Sequence, residues 1–210
     1  MQAIPDQLAA GLPPGTVDYE ATVTAVGDDT VTTADGRRIE AARVVVATDG
    51  SAAASLIPGV RPPEWNSVTT YFHATRSLDG AEPILLLDPD DALVVNSVPL
   101  SAASPDYAPP GATLVATSVL GVPDDSAAVE RHVRKRLATL YGTTEWDLIR
   151  TYPIRRAVPA MPAPHPLVRR VRLGRGRYVC GDHRDTSSTQ GALASGRRVA
   201  DAVLADRRRH

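Results

Sequence analysis

The stretch YVCGDHRDTSSTQGALASGRRVADAVL, residues Tyr178 to Leu204, decides how the rest of the chain is read. Tyr178, Val179 and Cys180 form a short apolar run suited to a buried strand. Gly181 permits a turn where a side chain would clash, and Asp182 stands at the strand's carboxyl end. Open α/β sheets bind their ligands at that edge. Asp185, Thr186, Ser187 and Ser188 then offer N-cap candidates for a helix. Its apolar positions Leu193, Ala200, Val203 and Leu204 fall on one face, with Val199 at the margin. Gly191, Ser195 and Gly196 leave the first turns nearly bare, and a bare helix N-terminus presents free N–H groups and a positive dipole end to an anionic or electron-rich ligand.

Working outward, residues Thr16 to Gly50 alternate apolar and polar positions through Val17, Tyr19, Ala21, Val23 and Ala25. They turn at Asp28-Asp29, resume at Val31 and Thr33, and turn again at Asp35-Gly36, the pattern of antiparallel hairpins. At Arg43 the character changes. Val44, Val45, Val46 and Ala47 are continuously apolar, which predicts a parallel strand buried on both faces, ended by the turn Thr48-Asp49-Gly50.

Taken together, YVCGD, the following SSTQGALASGRRVADAVL, and the meander with its Asp-Gly-Arg turn and VVVA strand resemble the FAD-dependent amine oxidase superfamily, the group of the monoamine oxidases, protoporphyrinogen oxidases and phytoene desaturases. The resemblance implies FAD as cofactor. It makes Asp182, after Gly181, a ligand of the ribityl chain, and puts Thr189, Gln190 and Gly191 at the flavin O2 and N1 edge, where a helix N-terminus stabilises the charge of the reduced ring. It also nominates Val23 as the strand residue reaching towards the adenine. The opening MQAIPDQLAAGLPPGT is similar to a segment from the middle of family members. A G-x-G-x-x-G pyrophosphate turn with an acidic residue about 20 positions on opens the family's nucleotide domain. This sequence has none, its nearest glycine pair being Gly174-Arg175-Gly176 in an arginine-rich turn. The resemblance therefore spans nearly all of this chain and the C-terminal half of the family.

The expected architecture is mixed α/β: a partial FAD-binding, Rossmann-like domain from residues 1–60 and 165–210, and an antiparallel-sheet substrate-binding domain over 61–164. Between the first of these segments and the second domain, Pro58 to Pro63 reads as a linker or crossover, since its prolines forbid regular helix. Strands are expected over 67–75, 83–87, 92–98 and 112–120. A helix should start at Asp125 or Ser126, bury Val129, Val133, Leu137 and Leu140, and stop at Gly142. Glu130 and Arg134 are spaced for a weak surface pair. By the resemblance, Tyr71, Phe72, His73 and Asn96 lie on strands facing a substrate cavity, although alternation sends only every second one inward.

Composition narrows the function classes. The 210 residues carry a formal net charge of −1, which steers the chain to neither nucleic acid nor an anionic membrane. Lys135 is the sole lysine against many arginines, and the terminal Arg207-Arg208-Arg209-His210 suits the negative end of a helix. One cysteine excludes internal disulfides and CxxC metal sites, and Cys180 reads as a core residue. With no signal peptide or transmembrane run, a cytoplasmic location is expected. His183, Asp185 and Ser187 are consecutive turn residues without a G-x-S-x-G elbow, so they read as caps rather than a hydrolase triad. His73 and His165 are isolated and His132 is expected to face solvent, which argues against a metal site. The sequence thus points to the C-terminal part of an FAD-dependent oxidoreductase that transfers hydride from a substrate C–H bond to flavin. It acts on a small-molecule substrate, and self-association or a complementary N-terminal chain would cover what is missing. A non-catalytic binding module of the same fold and one half of a split flavoenzyme stay open as alternatives.

Overall fold

The computed structural model describes residues 2–76, 78 and 80–208, so Met1 of the opening segment and Arg209-His210 of the basic tail lie outside the described residues. The chain divides into two compact units, residues 1–63 with 161–210, and residues 64–160.

The first unit begins with helix α1 (Ala3–Ala10), none of whose residues is buried. The meander follows as β1 (Val23–Val26), β2 (Thr30–Thr33) and β3 (Arg38–Glu40), a three-stranded antiparallel sheet in that order. The alternation predicted from Val17 does not extend so far back: Val17 and Tyr19 are exposed and lie outside any strand, and β1 begins only at Val23. β4 (Val44–Val46) comes next, then α2 (Gly50–Leu56). The sequence predicts only a turn at Asp49. Its carboxylate is in fact the N-cap, accepting the N–H groups of Ser51 at 2.8 Å and Ala52 at 3.2 Å, a contact that supports a short helix by about 1 kcal/mol.

The second unit is a five-stranded antiparallel sheet with one long helix. Its strands are β5 (Trp65–Arg76), β6 (Leu86–Leu87), β7 (Val94–Pro99), β8 (Ala112–Leu120) and β9 (Asp147–Pro159), in the spatial order β6-β7-β8-β5-β9. Between β7 and β8 runs the one-turn helix α3 (Leu100–Ala103). The strand predicted over 83–87 shrinks to two residues, since Ile84 closes a tight turn onto the Glu82 carbonyl. β9 was not anticipated. It holds Pro153 inside a weakly alternating run, which only an edge strand tolerates. Helix α4 (Ser126–Tyr141) begins and ends as the sequence predicts: Asp125 accepts the Ala128 N–H at 2.8 Å, and Gly142 takes the left-handed conformation at φ 71°.

Strand alternation decides which sheet face α4 covers. Thr69, Tyr71, His73 and Thr75 of β5 are buried, together with Val115, Thr117 and Val119 of β8, and Val133, Leu137 and Trp146 close the core over them. Phe72 and Asn96 lie on the opposite, less buried face, where Phe72 meets Tyr152 edge to face at 5.6 Å between ring centroids. Tyr71 and His73 therefore belong to the core and not to an open surface, a correction to the expectation for these two.

The chain then returns to the first unit through β10 (Arg172–Gly174), β11 (Arg177–Val179) and the terminal helix α5 (Thr189–Arg207). β10 and β11 form a hairpin around Gly174-Arg175-Gly176, with Arg175 itself at φ 51°. β11 pairs parallel with β4, matching Arg177 to Val44, Tyr178 to Val45 and Val179 to Val46. Val44, Val46 and Val179 join Ala53 of α2 and Ile57, the residue that ends it, in one apolar cluster. Val45 is 43% exposed, so β4 is buried on one face and not on both. In the three-stranded order β10-β11-β4, its outer edge has no strand partner among the described residues.

Candidate functional site

The parallel pair brings two strand ends together. β4 leads through Thr48 to the Asp49 cap of α2, and β11 leads through Cys180 and Gly181 to Asp182, with Cys180 donating its N–H to the Val46 carbonyl at 3.0 Å. Each strand end therefore runs into a helix start, the arrangement that makes the carboxyl edge of a parallel sheet a ligand site.

Gly181 adopts φ 142° and ψ 172°, a conformation available to glycine alone. A Cβ there would come within 2.6 Å of His183 Nδ1 and 3.2 Å of the Thr48 carbonyl oxygen, so the glycine also allows the two strand ends to approach. Asp182 follows at the start of a one-turn 3-10 helix, its side chain 28% exposed and 3.9 Å from His183 Nδ1. The imidazole of His183 is buried, packs against Gly50, and leaves both ring nitrogens without a hydrogen-bond partner. Burial, with Arg184 adding to it, holds its pKa below the ordinary value, so the ring is neutral. Neither nitrogen reaches Asp185 or Ser187. Asp185 is instead ion-paired with Arg198.

Helix α5 starts at an exposed turn. Ser188 Oγ caps it, accepting the Gly191 N–H at 3.0 Å, and the N–H groups of Thr189 and Gln190 stand at its exposed beginning. Gly191 is required sterically, because a Cβ would lie 2.0 Å from the Thr186 carbonyl oxygen. The face that α5 buries differs from the predicted one. Gly191, Ser195, Val199 and Ala202 pack inward, whereas Leu193 and Leu204 are more than half exposed. Ser195 has a role that the sequence reading missed: its Oγ accepts the Gly181 N–H at 2.9 Å and reaches the Gly181 carbonyl at 2.8 Å, tying the helix to the turn that carries Asp182. Its four-residue step from Gly191, both small residues on one helix face, was the available signal.

Of the remaining candidates, Val23 sits half-buried in β1, in the separate three-stranded sheet, opposite Thr33 beside a bulge. Cys180 is a buried thiol whose pKa is pushed up by desolvation, as its place in the strand implies. In the second unit His73 Nε2 lies 3.0 Å from Glu130 Oε1, which Arg134 also engages. Glu130 is only 14% exposed, so its pair with Arg134 is not the weak surface contact expected. His132, predicted to face solvent, is half-exposed and bonds Asp91 Oδ2 at 2.6 Å, because the loop before β7 folds back onto α4.

A two-stranded parallel core edged by helix starts, combined with an antiparallel second unit, defines a mixed α/β protein. The chain belongs to the flavin containing amine oxidoreductase family, whose model matches residues 1–204. Among solved structures it is similar to an oxidoreductase from Methanosarcina mazei (TM-score 0.60, 14% identity, over 86% of this chain and 48% of that one). It is also similar to a reduced UDP-galactopyranose mutase (TM-score 0.61, 14% identity, 85% and 45%) and to a CLA-producing fatty acid isomerase from P. acnes (TM-score 0.64, 12% identity, 96% and 51%). At these identities the likeness concerns the fold. The chain spans about half the length of the structures it matches. No curated protein matches it significantly. No helix among the described residues is long and apolar enough to cross a membrane.

Proposed function

We propose that this chain is the flavin-closing part of an FAD-dependent oxidoreductase. In this reading the unit of residues 1–63 and 161–210 holds the isoalloxazine and ribityl portion of FAD, and the unit of residues 64–160 holds the substrate. The observation that carries the reading is the carboxyl edge of β4 and β11, where Gly181, the partly exposed Asp182 and the exposed start of α5 lie at the end of a parallel pair. These residues fit a flavin: a carboxylate can accept ribityl hydroxyl protons, glycine at φ 142° lets a ligand approach the backbone, and helix N–H groups favour an electron-rich ring edge. Bound FAD would supply a two-electron acceptor for hydride from a substrate C–H bond. The chain's own contribution is to hold Asp182 through the Ser195 contact and to keep Thr189 and Gln190 N–H groups at the helix start. Phe72, Tyr152 and Asn96, on the less buried sheet face, are the substrate-facing candidates in the second unit.

The unpaired outer edge of β4 and the exposed Val45 favour completion by a further segment or chain carrying the pyrophosphate-binding turn. The test is reconstitution. Purified alone, the chain should lack the visible absorption of bound flavin; mixed with or fused to a family nucleotide-binding half, it should retain FAD stoichiometrically. Failure of the reconstituted protein to hold FAD would refute the proposal and favour a non-catalytic module.

A further inference from the structure

The five-stranded sheet of the second unit has two faces, and α4 covers one of them. Strand pairing fixes what stands on the other. Phe72 of β5 is opposite Ala116 and Arg150, Thr70 is opposite Ser118 and Tyr152, and Val68 is opposite Leu120 and Ile154. Residues paired directly across antiparallel strands point to the same side. These rows therefore form one surface, apolar through Val68, Phe72, Leu120 and Ile154, with Leu120 68% exposed. Arg150 is the only charged residue in the three rows. Asp147 and Arg76, of opposite charge, stand beyond them at one end of the face, opposite Ala74 and Ala112.

Arg150 is placed against an aromatic pair. Its guanidinium carbon lies 5.6 Å from the Tyr152 ring centroid, and Phe72 meets the same ring edge to face. Attraction between the cation and the ring restrains the arginine without using its N–H groups. Neither the Arg150 side chain nor the Tyr152 hydroxyl makes a hydrogen bond or ion pair among the described residues. Two free donors, one charged and one neutral, thus stand side by side on an apolar surface.

We infer that this face binds an apolar carboxylate, with Arg150 and Tyr152 holding the carboxylate and Val68, Phe72, Leu120 and Ile154 receiving the hydrocarbon. A guanidinium fork matches the two oxygens of a carboxylate, whose remaining lone pairs can accept the tyrosine proton. A phosphate dianion calls for a second cation, and the three rows hold none; an amine would meet Arg150 as a like charge. This rests on the reading of that face as the substrate side of the protein, gives the substrate a charge, and makes Arg150 the residue that selects it.

Isothermal titration of the full chain with decanoate, kept below its micelle concentration, is the test, with decyltrimethylammonium as the cation of equal chain length. Decanoate should bind saturably and about tenfold or more tightly than the cation, as the gain of a charge-assisted hydrogen bond implies. Arg150→Gln should weaken decanoate by a similar factor and abolish the preference over the cation. Tyr152→Phe, which keeps the ring, should weaken it less, and Arg131→Gln, on the helix that covers the other face, should leave it unchanged. All three side chains are exposed, so the fold should survive, which circular dichroism checks. No saturable decanoate binding, equal affinity for the two probes, or an affinity unchanged in Arg150→Gln overturns the inference. So does a stable dimer of the chain that Phe72→Ser dissociates, which would give the face to a second copy. The titration needs no flavin: decanoate binding without FAD retention in the reconstituted protein refutes the flavin reading alone, and FAD retention without decanoate binding refutes the carboxylate site alone.

Discussion

Replacing Ser195 by alanine should destabilise the protein even though alanine is the better helix former. Ser195 is fully buried, and its Oγ accepts the Gly181 N–H at 2.9 Å while its proton serves the Gly181 or Ala192 carbonyl. The Gly181 carbonyl keeps a donor after the substitution, since it also accepts the Arg184 N–H at 3.0 Å. The net damage is therefore one partly buried N–H without a partner, which costs about 1–3 kcal/mol, offset by roughly 0.5 kcal/mol of helix propensity. At an m-value of about 2 kcal/mol/M in urea, a loss near 1.5 kcal/mol lowers the unfolding midpoint by about 0.75 M. Urea titration followed by far-UV circular dichroism measures the midpoint, and amide hydrogen exchange at Gly181 reports the bond itself. A midpoint equal to or above that of the parent, with unchanged Gly181 exchange, would refute the assignment of Ser195 as the tie between α5 and the Asp182 turn.

Three further outcomes are expected. In protein reconstituted with a nucleotide-binding half, Asp182→Ala should reduce FAD affinity by about tenfold to a hundredfold, the loss of a charge-assisted hydrogen bond of about 1.5–3 kcal/mol; unchanged flavin content on dialysis would remove Asp182 from the site. Leu137→Ala, at a fully buried position under the second unit's sheet, should cost about 2–5 kcal/mol, measured by the same urea titration. Stability should fall as pH drops below about 6.5: burial lowers the folded-state pKa of His73 and His183, so the unfolded chain takes up protons that the folded one resists, and stability present above the unfolded value is lost on acidification. Thermal midpoints across that range check it, and a flat profile from neutral to mildly acidic pH would contradict the buried, neutral state of both rings.

Local signals are legible where one short segment supplies all the physics. The Asp125 cap, the α4 stripe and the Gly142 stop are contained within one 18-residue segment; the structure reproduces the cap and the stop and buries Val133 and Leu137 of the stripe, leaving Val129 and Leu140 partly exposed. The hairpin turns at Asp28-Asp29 and Asp35-Gly36, the parallel character of Val44 to Val46 and the strand-turn of Tyr178 to Asp182 were likewise readable, because Asp-Gly punctuation and apolar runs carry their own period. The family resemblance rested on those segments. Whatever depends on a partner from elsewhere in the chain was not readable. α5 buries its small residues Gly191 and Ser195 instead of Leu193 and Leu204, since close approach to Thr186 and Gly181 admits only small side chains. β9 exists because the long edge of β5 needs a neighbour, not because residues 147–159 alternate. His73 is core because strand phase and α4 place it there. Arg172 reads in sequence as part of a charged turn, and only the fold brings it together with Arg43, more than a hundred residues away, on Asp206. Sequence by itself therefore determined the local elements and the family. Which faces meet, and so which polar groups are buried together, was decided by tertiary packing, because burial is a property of two surfaces and the sequence displays them one at a time.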